Sequence, residues 1–218
     1  RYFRATLDDG SSLIAMDAPP DKEDCRPFVH VAWLLHQAGV HAPQVRAQDL
    51  AQGFLLLTDL GNRTYLNELA PSNAPRLFAD ATDALIRWQL ATRPGELPPY
   101  DEALLRREMQ LFPDWYVTRH LQAELRDEQK SRLEQIFALL VQSALAQPKV
   151  YVHRDYMPRN LMVGADGGLG VLDFQDATYG PISYDIASLL RDAFLSWDEE
   201  FVLDVTVRYW EAARRAKL

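Results

Sequence analysis

The sequence predicts an α+β fold of two lobes, a small β-rich one over residues 1–60 and a larger helical one over residues 61–218. Three observations carry this. Short β-favouring runs crowd the first part of the chain, apolar positions recur at helical spacing from Pro75 onward, and Asp59-Leu60-Gly61-Asn62 breaks the pattern between them.

The opening reads as a hairpin, with Tyr2 to Leu7 and Leu13 to Met16 flanking the turn Asp8-Asp9-Gly10-Ser11. After Pro19-Pro20, residues 21–38 read as a helix, because Phe28, Val31, Leu35 and Ala38 share a face and Gly39 is placed to end it. Two β segments follow, around Val45 to Asp49 and Phe54 to Thr58. In the second lobe Leu77, Phe78, Ala81, Leu85 and Trp88 mark one helix. Leu133, Ile136, Phe137, Leu140, Val141 and Ala144 mark another, stopped by Pro148 and expected to be core. A short apolar strand at Val150 to Val152 then leads into a polar loop. Two small strands around Ala165-Asp166-Gly167-Gly168 follow, and the second delivers Asp173. Val205, Tyr209, Trp210 and Ala213 recur at helical spacing, and the chain reads as cut at both ends.

With 218 residues, 48% of them hydrophobic, the chain is long enough to bury a sizeable core. The 23 Lys and Arg against 31 Asp and Glu give a net charge of −8 with no basic stripe, which argues against nucleic acid as a partner. A single cysteine, Cys25, excludes an internal disulfide and a cysteine-based zinc site, and fits a reducing cytoplasm. No apolar run approaches the roughly 18 residues that would cross a membrane.

The chemistry concentrates in His153-Arg154-Asp155-Tyr156-Met157-Pro158-Arg159-Asn160, followed by Leu172-Asp173-Phe174. This is H-R-D-x-x-x-x-N with a downstream D-F, both halves of a kinase signature. Five fixed residues at fixed spacing, each at roughly 5% frequency, meet by chance in about one such chain in ten thousand. An incidental polar loop is therefore the weaker reading. Phosphoryl transfer passes through a loose transition state, so the protein chiefly holds the acceptor oxygen in line and neutralises phosphate charge. Asp155 is the group to orient the acceptor hydroxyl and take its proton; Asp173 and Asn160 offer the hard oxygens that Mg²⁺ prefers. His153 either shapes the loop or acts directly.

Residues 149–192 resemble the aminoglycoside phosphotransferase and choline kinase superfamily, whose fold is protein-kinase-like; Gly180-Pro181-Ile182-Ser183-Tyr184-Asp185-Ile186-Ala187 is similar to that family's helix start. The resemblance implies ATP as donor and Asp185 as support for the loop backbone, against the plainer reading of a helix N-terminal acid. Phe54 to Gly61 resembles the family's hinge, so Leu57, Thr58, Asp59 and Leu60 are expected to meet the adenine edge. More narrowly, Met16-Asp17-Ala18-Pro19-Pro20, Leu111-Phe112-Pro113-Asp114-Trp115-Tyr116 and Leu172-Asp173-Phe174-Gln175-Asp176-Ala177 look like the anomeric amino-sugar kinases of peptidoglycan recycling. Those enzymes phosphorylate N-acetylmuramate and N-acetylglucosamine at the C1 hydroxyl, which implies a small-molecule sugar substrate. Trp115, Tyr116 and Trp88 are the available aromatic platforms, with core packing the favoured reading for each alone. Arg159 or Arg191 would meet a lactyl carboxylate or sit in a structural ion pair.

The sequence departs from a protein kinase in having neither G-x-G-x-x-G nor a strand lysine; Leu13-Ile14-Ala15-Met16-Asp17 stands where V-A-I-K would be. Arg1, Arg4 and Lys22 are the nearest cations, each read first as a solvated surface charge, and Glu23 and Asp24 sit at a helix start. Competing readings are an aminoglycoside, choline or homoserine-like kinase, and a silent nucleotide-binding pseudokinase.

Overall fold

A computed structural model describes residues 1–164 and 167–218. β1 (Tyr2–Thr6) and β2 (Ser12–Asp17) form the expected antiparallel hairpin, with Arg4 opposite Ile14. α1 (Cys25–Gln37) starts later than the apolar pattern suggested, because Asp24 is its N-cap and accepts from the Arg26 amide. Its buried face carries Phe28, Val31, Leu34 and Leu35, and Gly39 follows at φ +69. β3 (Val45–Asp49) and β4 (Phe54–Thr58) complete a four-stranded sheet of order β1-β2-β4-β3.

Helices dominate the rest. α2 (Tyr65–Glu68) and α3 (Ala74–Leu90) come first, and Ala81, Leu85 and Trp88 of α3 lie in the core. α4 (Glu102–Leu111) runs directly into a π-helical segment, Phe112–His120, and α5 (Asp127–Leu145) follows. β5 (Lys149–Val152) precedes a 3₁₀ turn at Pro158–Asn160, then β6 (Leu161–Val163) and β7 (Leu169–Val171) make the expected hairpin. The expected turn there falls partly on Ala165 and Asp166, which lie outside the described residues. β8 (Thr178–Pro181) pairs antiparallel with β5, and α6 (Tyr184–Leu190) and α7 (Glu199–Ala216) finish the chain. One apolar cluster runs from Met16 through Leu85 and Val171 to Ala213, with a second around Tyr100, Leu105, Val141, Val150 and Val152. At about 1.5–3 kcal/mol for each large apolar side chain removed from water, these clusters dominate the stabilisation.

One expectation needs correction. α5 is peripheral: Phe137 and Val141 are buried, but Ile136 and Leu140 are 52% and 50% exposed, because the helix carries two apolar rows and packs only one. In α7 the buried row is Val202, Val205, Tyr209 and Ala213, and Trp210 faces outward. Within the segment 180–187, Gly180 and Pro181 close β8, and the helix expected there, α6, starts at Tyr184. A Cβ on Gly180 would lie 2.5 Å from Tyr100 Cβ, so the strand can approach that ring only without a side chain. No helix among the described residues is long and apolar enough to cross a membrane.

Candidate active site

The loop after β5 is held from below by α6. Asp185 is wholly buried, and its Oδ2 and Oδ1 accept the backbone N–H groups of His153 at 2.7 Å and Arg154 at 3.0 Å. Burial pushes this carboxyl up to about 7, against the two amide donors, which favour the anion. Arg154 takes a left-handed conformation, φ +77, and Asp173 does the same at φ +61. Such turns cost non-glycine residues of the order of 1–3 kcal/mol and persist only where neighbours impose them. At Arg154 the imposing neighbour is Asp185.

Asn160 ends the 3₁₀ turn and joins the two halves of the motif. Its side-chain N–H group donates to the Asp155 carbonyl at 2.9 Å and faces Asp173 Oδ2 at 3.4 Å, while its backbone carbonyl accepts Leu172 N at 2.9 Å. Because the amide nitrogen is engaged in this way, the amide oxygen is the atom left to meet a cation. Asp173 Oδ1 accepts Gln175 Nε2 at 3.1 Å. Phe174, next in sequence, packs on Phe28 of α1 with ring centroids 4.7 Å apart, tying the segment after β7 to the helix beside the N-terminal sheet.

His153 is enclosed, and its Nε2 lies 3.0 Å from the Leu172 carbonyl, so that nitrogen carries the hydrogen. Burial pushes the ring down to about 4, opposed by the charge of Asp173, and it is neutral near pH 7. The ring thus braces the residue before Asp173. Asp155 is half-buried; burial first, and then the nearby Asp173 charge, raise its pKa, while Arg154 lowers it.

A cavity of about 300 Å³ opens above these groups, walled by Tyr2, Arg4, Ile14, Phe28, Leu57, Thr58, Asp59 and Leu60 and floored by Asn160, Met162, Leu172 and Asp173. All four hinge residues expected from sequence reach its lining. Asp59 is already engaged there: it accepts Arg4 Nε at 2.5 Å, Ser12 Oγ at 2.7 Å and the Gly61 amide at 2.8 Å. Burial alone would raise its carboxyl, but these hydrogen bonds hold it below its ordinary value. Arg4, read as a surface charge, is a wall of the cavity. Tyr2 was missed; it lines the same cavity as Asp173, and burial first and the Asp173 charge second raise its hydroxyl pKa. The two-residue period of a strand puts Tyr2 and Arg4 on one face, the signal that would have found both.

Other candidates stand apart. Arg159 is exposed with its guanidinium 5.6 Å from the Phe194 ring, and Arg191 is paired with Glu199 at 2.8 Å. Trp115 and Tyr116 lie on the π-helical segment, 55% and 50% exposed, so core packing is wrong for both. Tyr116 is stacked between Phe112 and His120, and Arg119 covers Trp115 at 3.9 Å. Trp88, by contrast, is core, against Tyr151.

Among the described residues no group of three or more His, Cys, Asp or Glu is arranged to hold a metal alone. One carboxylate and one amide oxygen nevertheless match what Mg²⁺ takes from a protein when phosphates and water complete its shell.

Comparisons with known proteins agree with this geometry. The chain is 59% identical over 213 residues to an N-acetylmuramate/N-acetylglucosamine kinase of Pseudomonas aeruginosa, covering 98% of this chain and 62% of that protein. It is 54% identical over 216 residues to the protein of the same name from Pseudomonas putida, covering 99% and 63%. The chain thus spans less than two thirds of the length of these relatives. Its fold is similar to that in the streptomycin-ATP-APH(2″)-IIa ternary complex, with TM-score 0.63 and 18% identity over 99% of this chain and 80% of that one. The profile of the phosphotransferase enzyme family matches residues 1–218, and the chain belongs to that family.

Proposed function

We propose that the chain forms the nucleotide-binding and catalytic part of an ATP- and Mg²⁺-dependent kinase that phosphorylates the anomeric hydroxyl of an amino sugar, N-acetylmuramate or N-acetylglucosamine, in cell-wall recycling. The observation that carries this is that Asn160 and Asp173 floor a cavity lined by Leu57 to Leu60, while the Asn160 amide joins the Asp155 backbone carbonyl to the Asp173 carboxylate. The names of the relatives support the acceptor, and the ATP in the APH(2″)-IIa complex supports the donor.

In this reading residues 1–60 hold the nucleotide, with adenine against Leu57, Thr58, Asp59 and Leu60. Asn160 and Asp173 hold Mg²⁺, which supplies charge neutralisation on the phosphates when bound. Asp155 accepts a hydrogen bond from the acceptor hydroxyl and takes its proton as the oxygen–phosphorus bond forms and ADP leaves. Asp185 and His153 keep that loop and the Asp173 strand fixed. Arg159, exposed on the same loop, is the cation for the carboxylate of N-acetylmuramate; Trp115, covered by Arg119, and Tyr116, stacked between Phe112 and His120, take no part in holding the sugar ring.

Incubating the intact protein with Mg-ATP and N-acetylmuramate, N-acetylglucosamine, choline or kanamycin, and following ADP release, tests the assignment. Turnover is expected with the two amino sugars. Turnover with choline or kanamycin alone reassigns the acceptor, and none with any acceptor removes the reading.

A further inference from the structure

Behind Arg154 lies a closed polar set that the chemistry above does not use. Glu108 of α4 accepts Arg154 Nη2 through Oε1 and the Tyr100 hydroxyl through Oε2. The Tyr184 hydroxyl reaches the same Oε2 at 3.3 Å. The Arg154 and Glu108 side chains are only 22% and 23% exposed. The guanidinium also lies 5.9 Å from the Tyr100 ring centre, and its Nη1 donates to the Asp176 carbonyl at 3.3 Å.

Arg154 is the residue immediately before Asp155, and its left-handed φ of +77 sets the direction in which the chain enters the base. Asp185 grips its amide and Glu108 its guanidinium, so the strained residue is fixed at both ends. A guanidinium nitrogen on a carboxylate that also accepts a phenol, largely shielded from water, holds better than a surface ion pair, and the other arm of the guanidinium is held by the Asp176 carbonyl. If the side-chain anchor is released, the residue can relax toward an ordinary φ and swing Asp155 away.

We propose that Glu108 is a positioning residue for phosphoryl transfer, holding Arg154 and, through it, the left-handed turn that aims Asp155 at the acceptor hydroxyl. This rests on the reading of Asp155 as the base. A simple staple of α4 to the lobe would instead affect stability and leave turnover alone.

Steady-state kinetics of the intact protein with Mg-ATP and N-acetylmuramate, for Glu108→Gln, Arg154→Ala and the double variant, separate the two. A base displaced by about 1 Å loses on the order of 100-fold in rate. Glu108→Gln should therefore lower kcat by about 10- to 100-fold. The KM for ATP should stay within about twofold, and the double variant should be no slower than Arg154→Ala alone. Unchanged kcat with a lowered Tm, or losses that multiply in the double variant, overturns the proposal. Should Glu108→Gln fail to fold, Arg154→Lys replaces it, keeping charge but losing the fork; normal kcat there is equally fatal. Asp155→Asn in the same assay distinguishes the two failures. If it keeps turnover, or the wild type has none, the base assignment falls and Glu108 with it; if it is dead while Glu108→Gln is fast, only Glu108 falls.

Discussion

Asp155 touches the acceptor and not the nucleotide in the proposed mechanism, so Asp155→Asn should lower kcat by several orders of magnitude with nucleotide affinity nearly unchanged; rapid-quench kinetics and a nucleotide titration check this. Asp185 acts on backbone rather than substrate. Asp185→Ala leaves two buried N–H groups without acceptors, and at about 1–3 kcal/mol each the loss of stability is roughly 2–6 kcal/mol, measurable by urea titration. His153 gives a pH signature with a definite sign. Its ring is neutral in the fold down to about pH 4 but protonates near 6.5 once unfolded, so its contribution is complete above pH 6.5 and is lost as pH falls through about 4. The window is worth on the order of 3 kcal/mol, and a His153→Gln variant should lack that part of the acid slope in ΔG. These three roles were unequally legible. Asp155, Asn160 and Asp173 were readable because their spacing is fixed by chemistry. The division between His153 as brace and Asp155 as base needed the Leu172 carbonyl, which lies 19 positions from His153. Glu108 has no sequence signal at all, being one acid on a helix rich in charge.

Strands and helices obeyed their patterns where one face alone is buried. β4, with Leu55 and Leu57 buried, falls on the segment expected for it, and α3 buries the predicted row. The failures have physical causes. The π-helical segment Phe112–His120 stacks Phe112, Tyr116 and His120 four residues apart, a spacing that also suits an α-helix, so sequence could not tell one from the other. β8 hid behind a glycine and a proline, which usually end strands. Here Gly180 is demanded by Tyr100, and Gly180→Ala should destabilise by about 1–3 kcal/mol through overpacking, as a thermal melt would record.

Across the whole molecule one apolar cluster joins the N-terminal sheet to α3, the β7 strand and α7, and the cavity takes its walls from both halves. A ligand seated there stabilises both. Saturating Mg-ATP at about 100 times its Kd should add about 2.7 kcal/mol to the intact protein, seen as a raised Tm. Asp173→Ala should remove the part of that shift that depends on Mg²⁺; a full shift in that variant would take Asp173 out of the metal site. The change from strands to helices was legible at Asp59 to Asn62, between the end of β4 at Thr58 and the start of α2 at Tyr65. The continuity of the core was not, since it depends on contacts such as Phe28 with Phe174 between distant segments.

The side chain of Asn160 directs its amide hydrogens at the Asp155 carbonyl and toward the Asp173 carboxylate. Spontaneous deamidation during storage would therefore turn a donor into an anion facing two oxygens. Molecules deamidated at that position should be inactive, so activity should fall in step with the deamidated fraction of a preparation, which mass spectrometry reads directly.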